Sequence, residues 1–126
     1  MEEKHRSKFE TYVLAYLRRN KNLNVEYEPE KWEYTVTASV HQYTPDIKLT
    51  LLSGAVLYVE LKGKLDINTR KKMVLVKAQH PDKDIRIVFM RNNKLTKSSK
   101  TKYTEWATKA GFISAVGTIP RAWLAE

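Results

Sequence analysis

The stretch Ala55-Val56-Leu57-Tyr58-Val59-Glu60-Leu61-Lys62-Gly63 decides how the chain is read. An unbroken apolar and aromatic run leads into Glu60, Leu61 and Lys62, and a glycine follows. In a strand, side chains two apart point to the same face. Glu60 and Lys62 therefore stand side by side at the end of a strand whose apolar run predicts burial on both faces. A charged pair in that place is costly unless its members neutralise each other or hold something. Two readings stay open on these residues alone: a metal-dependent nuclease site, or a buried ion pair.

Working outward, Tyr43-Thr44-Pro45-Asp46 brings a further carboxylate to the start of a strand. Ile47, Leu49 and Leu51 alternate with Lys48 and Thr50, and Ser53-Gly54 reads as a turn. A hairpin then pairs this strand antiparallel with Ala55–Leu61, with Asp46 opening one strand and Glu60-Leu61-Lys62 ending the other. Downstream, Asn68–His80 predicts a helix, capped by Asn68 or Thr69 and stopped by Pro81. Asp84–Met90 predicts a strand, and a strand–helix–strand order makes it parallel to the central strand through a right-handed crossover. Arg91–Lys102 is a basic loop, and Thr101 can cap a third helix carrying Tyr103, Trp106, Ala107 and Ala110 on one face, with Gly111 ending it. Ile119, Pro120 and Trp123 pack a last turn onto the core.

Upstream, Ser7 and Glu10 have capping-box spacing, and Phe9, Val13, Tyr16 and Leu17 share a helical face. Leu23–Glu28 reads as a short strand before Pro29. Trp32, Tyr34, Val36, Ala38 and Val40 alternate with polar residues, which predicts one strand over residues 32–40. Strands usually run about five or six residues, so this one is long enough to reach beyond its own domain.

The 126 residues suit a single domain over 1–126. The chain has no apolar stretch of membrane-spanning length, no signal-peptide core and no cysteine, which fits an intracellular protein with no membrane partner. With 23 Lys and Arg against 14 Asp and Glu, the net charge of +9 favours a polyanionic partner such as nucleic acid.

Hydrolysing a phosphodiester needs an activated water and charge neutralisation at phosphorus, which divalent metals and their carboxylate ligands supply. Asp46 and Glu60 can share one Mg²⁺, the carbonyl of Leu61 can add a ligand, and Lys62 can orient water, take its proton or stabilise charge. Glu-x-Lys alone is weak, since Glu2-Glu3-Lys4 matches it too. Glu10 is placed to complete the capping box with Ser7. Candidate DNA contacts are His41, Lys64, Arg70 and Lys71 near the site, and Lys94, Lys97, Lys100 and Lys102 in the basic loop. For the lysine loop a solvated surface is the competing reading, and for His41 a satisfied polar residue at a strand end. Tyr103 and Trp106 read as core.

The segments YTPD, VELKG, RKKMVLVKAQHPDKDIRIVF and IPRAWL, with SKFE at Ser7, resemble the phage endonuclease I family, the Holliday-junction resolvases of T-seven-type podophages within the PD-(D/E)xK superfamily. The likeness covers nearly the whole chain. It implies an α/β, restriction-endonuclease-like mixed sheet flanked by helices, and a domain-swapped homodimer in which residues 32–40 bridge two composite domains. It also implies a Mg²⁺-dependent endodeoxyribonuclease, with Mn²⁺ as substitute, that acts in DNA recombination. Such an enzyme cuts four-way junctions and other branched DNA to leave 5′-phosphate and 3′-hydroxyl ends, as a phage protein in the host cytoplasm. Carried over, Asp46, Glu60 and Glu10 match metal carboxylates and Lys62 the catalytic lysine, with Glu10 supplied by the other chain. The hairpin containing TLLSG is longer than the family's usual turn, the N-terminal arm is short, and no basic extension follows Glu126. These departures bear on junction affinity and on preference for branched over plain duplex. The alternatives are a nicking or restriction-type nuclease on duplex, and a basic DNA-binding protein without catalysis.

Overall fold

The structure is a computed structural model that describes residues 3–36 and 39–126. Among them, helix α1 (Lys8–Arg18) is followed by strands β1 (Asn24–Tyr27), β2 (Trp32–Val36), β3 (Ser39–Tyr43), β4 (Ile47–Thr50) and β5 (Val56–Lys62). Then come α2 (Ile67–Gln79), β6 (Ile85–Phe89), α3 (Tyr103–Lys109), β7 (Ser114–Val116) and the single turn α4 (Arg121–Leu124). Five strands form one sheet in the order β1-β4-β5-β6-β7, and β2 pairs with β3 in a second. β4 lies between β1 and β5 and is antiparallel to both, whereas β5, β6 and β7 run parallel. This is the mixed α/β sheet that the central stretch implied.

The apolar run of β5 is buried because both faces of the sheet are covered. On one face α1 packs Val13, Leu14 and Leu17 against Ile47, Leu49, Leu57, Val59 and Val88, and Trp123 of α4 joins them. On the other, Met73 and Val76 of α2 and Tyr103 and Ala107 of α3 meet Tyr58, Ile87 and Phe89. Trp32, Tyr34 and Tyr43 of the small sheet extend that second cluster. No helix among the described residues is long and apolar enough to cross a membrane.

Several expectations are corrected in detail. Residues 32–40 form not one strand but parts of two that pair with each other, Val36 facing Ser39 and Trp32 facing Tyr43; Thr37 and Ala38 lie outside the described residues. Folding back reverses which residues face inward. Trp32 and Tyr34 pair with Tyr43 and His41, so the odd positions of β3 take the inner side and Val40 is 61% exposed. Asp66, rather than Asn68 or Thr69, caps α2, accepting from the Thr69 N–H at 2.8 Å. Lys102, rather than Thr101, precedes α3, its N–H donating to the Glu105 carboxylate. Strand β7 was not anticipated; three residues are too few to show a period.

The small sheet is tied to α2 by Gln79, whose side-chain amide accepts from the Thr35 N–H at 2.6 Å and donates to the Thr35 carbonyl at 2.8 Å. His80 adds a bond to the Glu33 carbonyl and packs against the Trp32 ring.

Candidate active site

Strand directions fix where the chemistry-bearing residues meet. The start of β4 lies at the same edge of the sheet as the end of β5, since the two are antiparallel with Ile47 facing Val59. The end of β1 joins them, Tyr27 facing Ile47. The first turn of α1 closes the group. Asp46, Glu60 and Glu10 meet here and are 5%, 4% and 6% exposed.

Asp46 precedes β4 and turns its Oδ2 to the Leu61 N–H at 2.8 Å. Its pKa is pushed up to about 8, by burial first and then by the charge of Glu60, with Glu10 adding to it; the Leu61 hydrogen bond and Lys62 act the other way. Even-numbered residues of β5 bond toward β6, as Tyr58 N–H to the Asp84 carbonyl and the Lys62 carbonyl to Met90 N–H show. The N–H and C=O of Leu61 therefore face the opposite edge, beside Asp46.

Glu60 is held at both oxygens. Tyr43 donates its hydroxyl to Oε1 at 2.7 Å, and the Lys62 ammonium stands 3.1 Å from Oε2. Burial works against the Lys62 charge, but the charge and hydrogen bond of Glu60 outweigh it, and the net shift is upward. Lys62 thus carries its charge beside Glu60.

Glu10 completes the capping box: Ser7 Oγ accepts from the Glu10 N–H, and Glu10 Oε1 accepts from the Ser7 and Arg6 N–H groups. The Tyr27 hydroxyl also donates to Glu10 Oε1 at 2.9 Å. The same side chain thus completes the cap and stands in the carboxylate group. Glu28 joins from the end of β1, in a left-handed backbone conformation (φ 45°), its N–H donating to the Asp46 carbonyl at 2.7 Å. Its carboxylate pairs with Arg6 at 2.9 Å.

Glu10, Glu28 and Asp46 each offer an oxygen within 4.8 Å of the others. Among the described residues this grouping includes Glu28, which the sequence did not suggest, and leaves Glu60 outside it, engaged by Tyr43 and Lys62. Hard oxygen donors, Asp46 and Glu10 buried and Glu28 half-buried, with Asp46 and Glu10 unmatched by any ion pair among the described residues, suit a divalent cation. Glu28 carries one sequence signal, a carboxylate at a strand end before Pro29; Tyr43, inside YTPD, carries none of its own beyond standing three residues before Asp46.

The other predicted residues scatter more widely. His41 sits exposed on β3, bonded to Ser39 Oγ and stacked on Tyr34. Lys64 and Lys71 are exposed, and Arg70 is half-buried with a bond to the Leu65 carbonyl at 3.4 Å. Lys94, Lys97, Lys100 and Lys102 are exposed in the loop after β6, Lys94 bridging Lys102 across it. Because β6 is parallel to β5, that loop leaves the sheet at the same edge as Lys62. Tyr103 is buried and Trp106 half-buried against Phe112, as core aromatics.

Carboxylates and a lysine gathered at strand ends suit hydrolysis of a phosphodiester, and comparison with known proteins places the chain among the nucleases. It belongs to the phage endonuclease I family, which it matches over residues 2–126. It is 43% identical to Endonuclease I of Escherichia phage T7 over 108 residues, 85% of this chain and 70% of that protein. It is 40% identical to Endodeoxyribonuclease 1 of Enterobacteria phage T3, again over 85% of this chain and 68% of that protein. Among solved structures, a repair endonuclease from Pyrococcus abyssi aligns over 94% of this chain and 49% of its own, with 16% identity and a TM-score of 0.44. The chain spans about half the length of that protein, and the likeness is too low to bear on its chemistry.

Proposed function

We propose that the chain is a Mg²⁺-dependent, structure-selective endodeoxyribonuclease that hydrolyses phosphodiesters in branched DNA, four-way junctions above all, leaving 5′-phosphate and 3′-hydroxyl ends. The observation that carries this reading is the burial of Asp46, Glu60 and Glu10 at one sheet edge with Lys62 fixed beside them. Asp46, Glu10 and Glu28 would hold the cation, with Glu60 and the Leu61 carbonyl at the same sheet edge as further oxygen donors. When bound, the cation neutralises charge on the phosphate and acidifies a water. Lys62, as a held ammonium, stabilises the negative charge that builds on phosphate oxygens. Tyr43 keeps Glu60 oriented. The exposed lysines of the 94–102 loop, Lys64, Lys71 and Arg70, with His41, contact backbone phosphates, which supply affinity, while junction shape supplies selectivity.

The family resemblance also supports a homodimer in which residues 32–40 bridge two composite domains. Opening the β2–β3 pairing would hand α1, β1 and β2 to a partner, and each site would then take Glu10 from one chain and Asp46, Glu60 and Lys62 from the other. Two linked sites can cut opposing strands of one junction.

The test is cleavage of a synthetic four-way junction against linear duplex, with and without Mg²⁺. Junction cleavage that needs the metal is expected, and equal cleavage of both DNAs would sink the selectivity. Glu60→Ala or Lys62→Ala should abolish cleavage and retain junction binding. Mixing Glu10→Ala with Glu60→Ala chains should restore one intact site per exchanged dimer; no recovery refutes the exchange.

A further inference from the structure

A cavity of about 270 Å³ opens beside the catalytic edge, between the first turn of α1 and the strand ends of β5 and β6. Ser7, Lys8, Phe9, Leu61, Gly63 and Met90 line it. Leu61 donates to Asp46, Gly63 follows Lys62, and Ser7 caps the helix that carries Glu10. The cavity is therefore next to the proposed reaction centre without containing its charged groups.

Its walls are of two kinds. Phe9, Leu61 and Met90 are apolar, and Met90 is 45% exposed, a large apolar side chain with no partner in the core. No acid lines it, and each of its three segments carries a cation in the lining or next to it: Lys8, Lys64 after Gly63, and Arg91 after Met90. None of the three makes a salt bridge among the described residues. An apolar slot with the Lys8 ammonium in its lining, and with Lys64 and Arg91 next in sequence to lining residues, fits a ligand with a flat apolar body and a phosphate at its edge. Single-stranded nucleic acid is bound by this combination of stacking surface and charge. The volume is far too small for a duplex.

We infer that the cavity receives the base and sugar of the nucleotide next to the scissile phosphate, drawn out of its stack, and that this requirement favours branched over continuous DNA. The inference rests on the nuclease reading above. Drawing a nucleotide out costs least where the base is already poorly stacked or unpaired. A branch point offers such a nucleotide, and a continuous duplex does not. Met90, flexible and polarisable, suits a surface that accepts any base, so this selection is by structure and not by sequence.

The experiment places 2-aminopurine in turn on each side of the cleaved bond, in a four-way junction and in matched linear duplex. The full chain is titrated in EDTA, where no cleavage is needed, with binding followed by anisotropy. A fluorescence rise at one of the two positions on the junction is expected, and little on the duplex. In the double variant Lys8→Ala, Met90→Ala the rise should fall, and the preference for junction over duplex should narrow roughly tenfold, the equivalent of about 1.4 kcal/mol, for the loss of one apolar wall and one phosphate cation. Saturated binding with no fluorescence change at either position overturns the inference, and so does an unchanged preference in a double variant that melts like the parent. Cleavage that proceeds normally in Mg²⁺ alongside such a result removes the cavity's role and leaves the nuclease reading standing.

Discussion

Replacing Asp46 by asparagine should destroy cleavage and yet stabilise the metal-free protein. Asparagine keeps an oxygen for the Leu61 N–H, which donates to Asp46 at 2.8 Å, and changes the volume little. What it removes is a carboxylate whose folded pKa is about 8 against an ordinary 3.8, raised by burial and by Glu60. Because the folded value is the higher, the folded state holds the proton through this window and the unfolded state does not. The stability contribution is intact below about 3.8 and is lost as pH rises toward 8. At pH 7 about three pH units of that window have been crossed, each worth about 1.36 kcal/mol, so the penalty is on the order of 4 kcal/mol and is an upper figure. A gain of about 2 kcal/mol or more is therefore expected for the variant, or roughly 6 °C in melting temperature for a domain of this size. The assay is thermal melting in EDTA between pH 5 and 8.5, then with Mg²⁺. The advantage of Asp46→Asn should shrink toward pH 5. Mg²⁺ at a hundredfold its Kd should stabilise the parent by about 2.7 kcal/mol and the variant much less. A variant that melts at or below the parent at pH 7 in EDTA would falsify this account of Asp46 as a carboxylate kept for the cation at the expense of the fold.

Tyr43→Phe preserves the core volume but leaves Glu60 Oε1 without its donor; cleavage should fall about tenfold or more and stability by about 1–3 kcal/mol, while junction binding by anisotropy stays within about twofold. Ser7→Ala removes the cap that accepts from the Glu10 N–H, costing about 1 kcal/mol in urea unfolding, while single-turnover cleavage should change little, because Glu10 Oε1 keeps its bonds from the Arg6 and Ser7 backbone N–H groups and the Tyr27 hydroxyl; a large fall in rate would tie the cap itself to the chemistry. Arg86→Ala, at the β6 position paired with Val59 but bonded to none of the gathered carboxylates, strips a 3% exposed guanidinium from Asp84, Glu126 and the Trp123 ring. It should cost about 3 kcal/mol without changing the metal dependence of cleavage.

The site was legible where local pattern carries it. Asp46 and Glu60 had to meet once Ser53-Gly54 closed a hairpin, because opening one strand and ending its antiparallel partner are the same edge. The capping box at Ser7 and Glu10 was equally local, and both halves are present. Glu28 was hidden because its place depends on β1 pairing with β4 at Tyr27 and Ile47, a register between distant segments that no periodicity sets. Tyr43 was hidden for a different reason: a buried tyrosine body reads as core, and only its hydroxyl, 2.7 Å from Glu60, belongs to the site. The alternation over residues 32–40 predicts a single strand, whereas the described residues form parts of two paired strands, because period two cannot reveal a reversal of direction inside it.

That reversal bears on how the chain assembles. Tight two-residue hairpins favour Asn-Gly, Asp-Gly or other glycine-bearing pairs, since their central residues need positive φ. Between Val36 and Ser39, which face each other in register, the sequence carries Thr37 and Ala38, neither of the favoured kind. A β-branched threonine is instead at home in continuous strand. The contacts that hold the small sheet do not depend on this joint. Trp32 against Tyr43 and Tyr58, Gln79 on Thr35, and His80 on Glu33 lie on either side of it, and each can be made by the same residues of a second copy. In the exchange proposed above, the closed and exchanged forms would share these contacts and would differ only where the chain passes between β2 and β3. Replacing Thr37-Ala38 with Asn-Gly should move the equilibrium toward monomer in light scattering, and with it remove the recovery of activity by mixed Glu10→Ala and Glu60→Ala chains. If Asn-Gly leaves both measurements unchanged, the joint does not decide the assembly.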